Sequence, residues 1–274
     1  MLASAASTAI LEATRIPYVT AVEAHTLLRT ELERLLALAE RLDPVDWAKP
    51  TACALWTVRD MLAHQAGGYA SGTGYGELIH QYVSIPRPGQ LLEDAINARQ
   101  LAERAGKSPA ELIDELRRVG PIAIDKWAHQ FRALKLLGVP HPVAGQLSMR
   151  HLMWVIHSRD TWMHRLDICR ATGRNFVQTL GHDDRIAALV MLDVAKALAR
   201  KLGGRAIEVE LSGLAGGVWK IGTGQIEATL RMDALDFNIH ASGRYTYGEA
   251  RSKATLGGDI ALAELALKKA VALY

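Results

Sequence analysis

Residues 148–172 read SMRHLMWVIHSRDTWMHRLDICRAT. Turned at about 100° per residue, the stretch puts Asp160, His164 and Asp167 on one narrow stripe, with His157 one turn before them. The other sides carry Leu152, Trp154, Ile156, Trp162, Met163, Leu166 and Ile168, so the helix is apolar nearly all round and belongs in a core. Ser148 is its N-cap and Gly173 its stop. A buried carboxylate or imidazole is costly unless it is paired or bound to a metal. The stripe therefore needs a partner.

Working outward, Thr20 to Arg41 has Leu28, Leu32, Leu35 and Leu36 at helical spacing with Glu and Arg opposite, an amphipathic helix whose glutamates read as solvated. Asp43-Pro44 ends it, and Asp46 in the following loop reads as solvated too. A second helix starts at Thr57, with Asp60 three residues on as a capping-box variant and His64 near its middle. Ala63, Ala66, Gly67 and Gly68 make this helix thin, so a neighbour can approach closely. Gly72–Gln90 reads as a loop, Leu91–Ala105 as a helix, and residues 109–119 as another, broken by Gly120-Pro121 and resuming to about Leu137. GVPHPVAGQ, 138–146, reads as a loop. Long helices joined by loops predict an antiparallel bundle, in which metal sites are built from inward-facing side chains of neighbouring helices.

After Gly173 the pattern changes. His182–Leu202 is amphipathic, then RAIEVELSG alternates Ile207, Val209 and Leu211 against Glu208 and Glu210. GVWKIG and QIEATLRMD follow on short glycine-containing connectors, which predicts an antiparallel meander. A short helix at 235–243, a strand at 253–256 and a helix at 259–273 complete the expected order. The boundary falls near 174–182, giving a helical domain over 1–177, with residues 1–17 a loose lead-in, and a small strand-bearing domain over 178–274.

Composition narrows the function. A 274-residue chain with 49% hydrophobic and 22% charged residues is an ordered globular protein. A net charge of +3 without a basic run argues against nucleic acid. No apolar run is long enough to span a bilayer, and the amino terminus lacks a basic n-region. Cys53 and Cys169 make no ligand spacing and read as free thiols of a reducing compartment, so the expected location is cytoplasmic. GxGxxG after a strand, GxxxxGK[ST] and GxSxG are all missing, which removes dinucleotide, phosphate-loop and hydrolase-elbow readings.

Asp160-x3-His164 places two ligand atoms one turn apart on one face, and His64 from a facing helix completes two imidazoles and a carboxylate. Three protein ligands with an open position is the pattern of a catalytic metal site. Asp167, one turn further, is placed to orient the ring of His164. The same Asp–His spacing also serves a plain hydrogen-bonded pair. His157 reads as a structural or pocket histidine, and Trp56, Trp154 and Trp162 as core.

WTVRDMLAHQAGG (56–68) together with RDTWMHRLDICRATGR (159–174) resembles the mycothiol-dependent maleylpyruvate isomerase family, within the wider DinB-like group of metal-binding four-helix bundles. ASGRY (241–245) and ATLGGDIALAELAL (254–267) resemble the end of that family's smaller domain, which is similar to sterol carrier folds. The implied class is α+β, a DinB-like four-helix bundle followed by a small α/β domain with a mainly antiparallel sheet. The resemblance implies zinc or another divalent metal on His64, Asp160 and His164, Asp160 standing where the family's isomerase has Glu. Gln65 departs from a position that is apolar in the family. Arg244 matches an active-site arginine, and with Asp167 completes the implied catalytic set; Arg159 is a weaker candidate for holding a carboxylate. Mycothiol is the implied thiol cosubstrate, its thiolate attacking a small-molecule electrophile in cis–trans isomerisation or in S-transfer, in a monomer or homodimer. The competing reading is a non-catalytic small-molecule or lipid-binding protein whose metal is structural or absent.

Overall fold

A computed structural model describes residues 10–83, 88–89, 91–129, 137–141 and 145–274. The chain divides into two compact units, one built on Val19–Val139 and Gln146–Phe176, the other on Val177–Tyr274 together with the segment up to Tyr18. The class is α+β, as the long helical run and strand-rich tail imply.

The helical unit is built on α1 (Ala21–Ala39), α2 (Val58–Ser71), α3 (Tyr75–Tyr82), α4 (Leu92–Glu103), α5 (Pro109–His129) and a final helical run. Thr20 and Glu23 form a reciprocal capping box on α1, and Thr57 and Asp60 form the expected variant on α2. α5 packs on α1 and α2, and the final helical run packs on both of these. The helix α5 is not broken at Gly120-Pro121. Pro121 and Arg117, the residue whose carbonyl the ring cannot bond, are both exposed, so the carbonyl left without its helical bond is open to solvent. Gly120 faces inward, where a Cβ would stand 2.4 Å from Leu32 Cδ2, and so sets the close approach of α1. The resumed stretch beyond His129 lies outside the described residues up to Leu137. Within the predicted loop 72–90, α3 forms because Leu78 and Gln81 face inward one turn apart; the surrounding glycines had diluted that period. Residues 138–146 are likewise not a plain loop: β2 (Gly138–His141) and β3 (Gly145–Ser148) form a two-stranded ribbon.

The final run is α6 (Met149–His151), a π-helical turn over Leu152–Ile156, and α7 (His157–Thr172). The expected single α-helix thus carries a π turn, a feature that recurs beside functional sites. It lies wholly before His157, so the stripe from His157 to Asp167 keeps ideal α spacing. Two expectations of solvated acids fail here. Glu31 on α1 is buried and accepts two hydrogen bonds from Arg165 on α7, at 2.9 and 3.2 Å. Asp46 is buried and paired with Lys49 and Arg174, both at 2.7 Å, which hold its carboxyl well below the usual range.

In the other unit β1 (Leu11–Glu12) joins α8 (Asp183–Ala199), β4 (Ala206–Ser212), β5 (Gly217–Gly222), β6 (Ile226–Asp233), α9 (Ala234–Ala241), α10 (Tyr247–Lys253), β7 (Thr255–Gly258) and α11 (Ile260–Lys269). Strand order is β1-β5-β4-β6-β7. Part of the lead-in is therefore a sheet strand. The predicted alternation holds for Ile207, Val209, Leu211, Ala228, Leu230 and Met232, all in the core, but Ile226, expected on the same side, is exposed at the start of β6. The predicted meander does not: β5 runs antiparallel to β4, but β6 lies on the opposite edge of β4 and parallel to it, so the sheet is mixed. The β5–β6 link passes close under the start of β4. A Cβ at Gly222, where φ is +101°, would stand 2.1 Å from Arg205 O, and one at Gly224 would stand 2.6 Å from Gly204 O. Only glycines allow that crossing. The closing helix stops at Lys269 rather than 273, and α10 was not foreseen although Thr246 and Glu249 cap it.

Candidate metal centre

Helices α2 and α7 bring His64, Asp160 and His164 together. His164 Nε2 lies 3.1 Å from Asp160 Oδ1, and His64 Nε2 lies 3.4 Å from Asp160 Oδ2. The ligand atoms of the three side chains all fall within 4.8 Å of one another. Both imidazoles are buried. Burial alone would raise the carboxyl of Asp160, but the charge and hydrogen bonds of His164, and then His64, outweigh it and hold Asp160 well below its ordinary value. Burial likewise opposes charge on His164; Asp160, Asp167 and Cys53 outweigh it and hold the ring well above its ordinary value. The centre is thus an ionised carboxylate clasped by two rings, a donor set of two nitrogens and one oxygen suited to a divalent cation.

The surrounding shell is hydrogen-bonded throughout. His164 Nδ1–H donates to Asp167 Oδ2 at 3.3 Å, as the sequence stripe anticipates. Gln65 Nε2 donates to Asp160 Oδ2 at 2.6 Å, while Thr161 Oγ1 donates to Gln65 Oε1 at 2.7 Å. The polar residue that looked out of place on α2 is the clamp on the shorter Asp160 side chain. Gln100 on α4 meets His64 Nδ1 at 2.8 Å. No motif marks Gln100 in the sequence; its role depends on α4 packing against α2.

The loop before α2 supplies a wall. Trp56, expected in the core, stands over both rings, with centroids 4.9 Å from His64 and 5.9 Å from His164. Thr51 and Trp56 close this loop through Thr51 N–H and Oγ1 bonds to Trp56 O, at 3.0 and 2.9 Å. Leu55 inside it is the described non-glycine residue with positive φ, +80°. The same loop places Cys53 Sγ 4.0 Å from Asp167 Oδ2, forming a second grouping with His164 and Asp167. Sequence spacing could not reveal this, because Cys53 and Asp167 are far apart along the chain. Arg159 is buried rather than displayed. Arg244 belongs to the sheet-bearing unit, where its N–H donates to Ile239 O at 3.1 Å just past α9.

His157 lies flat on Trp127, centroids 4.2 Å apart at 12°. Burial pushes its ring down to about 4, with Asp160 opposing. In the unfolded chain the ring titrates near 6.5, so between 6.5 and 4 the unfolded state binds more protons. The neutral ring's contribution is full above 6.5 and is lost as pH falls toward 4. His157→Phe, which keeps the stack, is expected to flatten stability against pH across that window, by up to about 3 kcal/mol at its acid end. Urea unfolding across the window measures this; an unchanged slope rules it out.

Among the described residues, no helix is long and apolar enough to cross a membrane. No curated protein matches the sequence significantly. Among solved structures, the crystal structure of the mycothiol-dependent maleylpyruvate isomerase matches with TM-score 0.58 at 15% identity, over 87% of this chain and 93% of that one. A histidine-to-alanine mutant of that enzyme matches with TM-score 0.57 at 16% identity over the same shares. At such identities the likeness speaks for the fold. The sequence itself matches the family model described as the mycothiol maleylpyruvate isomerase N-terminal domain over residues 28–169, just over half the chain, and that segment carries His64, Asp160, His164 and Asp167. The chain therefore belongs to the mycothiol maleylpyruvate isomerase family.

Proposed function

We propose that this protein is a metal-dependent enzyme that uses mycothiol to act on a small electrophile of the maleylpyruvate type, by cis–trans isomerisation or by S-transfer. The observation that carries the reading is the convergence of two imidazole Nε2 atoms on the two oxygens of one half-buried carboxylate. His64, Asp160 and His164 are the proposed ligands of zinc or another divalent cation. Such a cation, when bound with one position open, supplies Lewis acidity that ionises a thiol near neutral pH.

The protein's own groups set the conditions for that chemistry. Asp167 accepts the Nδ1 proton of His164, so that Nε2 is the nitrogen left to face a cation once that cation displaces its proton. Gln65 fixes the rotamer of Asp160. Trp56 covers both rings and limits water over the centre. For Arg244 the proposed role is to hold a substrate carboxylate by paired hydrogen bonds, on the strength of its Gly-Arg step in the sequence.

The test is turnover of maleylpyruvate with mycothiol, followed by absorbance and by mass spectrometry. Turnover is expected to need both thiol and metal, to stop with a chelator, and to return on adding zinc. A trans product with free thiol recovered identifies the isomerase, and an accumulating conjugate identifies the transferase. Turnover indifferent to the chelator sinks the metal-dependent reading.

A further inference from the structure

A closed chain of hydrogen bonds leaves His64 and returns to its own helix. His64 Nδ1 lies 2.8 Å from Gln100 Oε1. Gln100 Nε2 donates to Gln81 Oε1 at 2.8 Å. Gln81 Nε2 donates to the backbone carbonyl of Gly67 at 3.0 Å and to Glu77 Oε1 at 2.8 Å. Gln81 is 0% and Gln100 3% exposed, so water does not compete for these groups.

Imidazoles and carboxamides can each be turned end for end, and a chain of them alone would have two consistent polarities. Here the polarity is decided at the far end. A carbonyl oxygen only accepts, and so does the Glu77 carboxylate. Gly67 O therefore requires the NH2 of Gln81, which turns Gln81 Oε1 toward Gln100. Gln100 must then offer its own NH2 to Gln81 and its oxygen to His64. That oxygen needs a proton on Nδ1, so a neutral ring that keeps this bond has its lone pair on Nε2, the nitrogen facing Asp160.

Gly67 supplies more than the terminal acceptor. A Cβ there would stand 2.5 Å from Gln100 Cγ and 2.6 Å from Gln100 Cβ, so only glycine admits Gln100 against α2. The thinness of the HQAGG stretch has a specific use: it makes room for the residue that orients the histidine three positions earlier.

We propose that Gln100 and Gln81 are positioning residues that hold His64 in its Nδ1–H tautomer and present Nε2 to a cation, with Gly67 as space and anchor. The metal half of this rests on the reading of His64 as a ligand; the tautomer half does not. Partners of this kind change metal affinity by about 10–100-fold.

Long-range proton–nitrogen NMR of histidine-labelled protein reads the tautomer directly, with His64 assigned by loss of its signals in His64→Gln. In metal-free wild type, at a pH where the ring is neutral, Nδ1–H is expected. Gln100→Met and Gly67→Ala are expected to lose that preference and to weaken zinc binding about 10–100-fold in chelator competition. Gln100→Glu has a side chain that only accepts, and its second oxygen faces Gln81 Oε1. It is expected to keep the Nδ1–H form while folding less stably, a split that a merely structural role does not produce. A wild-type ring protonated on Nε2, or Gln100→Met with tautomer and zinc affinity both unchanged, overturns the inference. Wild type in the Nδ1–H form that takes up no zinc upholds the tautomer and sinks only the metal reading.

Discussion

His164→Ala is expected to purify with less than about a tenth of an equivalent of divalent metal, against about one in the parent. Structural sites of four ligands bind zinc with about 10–16 kcal/mol, so each ligand is worth roughly 2.5–4 kcal/mol and its loss weakens binding by about two to three orders of magnitude. The consequence is larger here than for an isolated ligand. His164 is the leading attraction that keeps Asp160 ionised against burial. Without it, less attraction opposes the burial that disfavours the Asp160 charge, and a carboxyl must be ionised to bind a metal well. The same change also frees Asp167 from its Nδ1 partner. Elemental analysis of the two preparations, dialysed together, measures the effect. Equal metal in both ends the assignment of this centre.

Glu31→Ala is expected to cost about 3–5 kcal/mol in urea unfolding, enough to threaten folding of a domain of ordinary stability. Glu31 is fully buried and receives Arg165 Nε and Nη2 in a fork, with Arg34 Nη1 at 3.6 Å. Arg165 is itself buried, capped by the ring of Phe176 at 4.0 Å. Removing the carboxylate takes from a guanidinium enclosed in the core the partner of its two-bond fork, and arginine cannot shed its proton. Glu31→Gln keeps an acceptor oxygen and the side-chain volume, so a smaller loss is expected. Arg165 neighbours His164 on α7, and the pair ties α7 to α1, so the variant also tests whether the ion pair holds the ligand helix in place. A loss below about 1 kcal/mol for Glu31→Ala, the range of an exposed pair, refutes this account.

Local chemistry made much of the molecule legible. The capping signals at Thr20 and Thr57, the heptad-like leucines of α1 and the alternation in β4 and β6 each need only a few neighbouring residues to be read. The polar stripe was legible for the same reason, since Asp160, His164 and Asp167 share one α-helix and their geometry follows from its pitch. Misreadings have a common cause as well. Glu31 and Asp46 look like solvated acids until Arg165 and Arg174 arrive from distant parts of the chain. Pro121 looks like a break until its place on the exposed face shows that the missing bond falls on the solvent side. The strands of the sheet were found, but β6 pairs with β4 rather than β5, because glycines at 222 and 224 permit a crossing that no alternation pattern encodes.

By itself, then, the order of residues determined the α+β class, the periods of the main helices and strands, and the Asp160–His164 pair proposed as metal ligands, because each depends on spacing along one element. Tertiary structure alone decided what surrounds them. Gln100 on His64, Gln65 on Asp160, Trp56 over both rings and Cys53 beside Asp167 come from separate segments, and their contacts exist only after α2, α4, α7 and the loop before α2 have packed. The physical reason is that a ligand's identity is a property of one residue, whereas its tautomer, charge and orientation are properties of its neighbours.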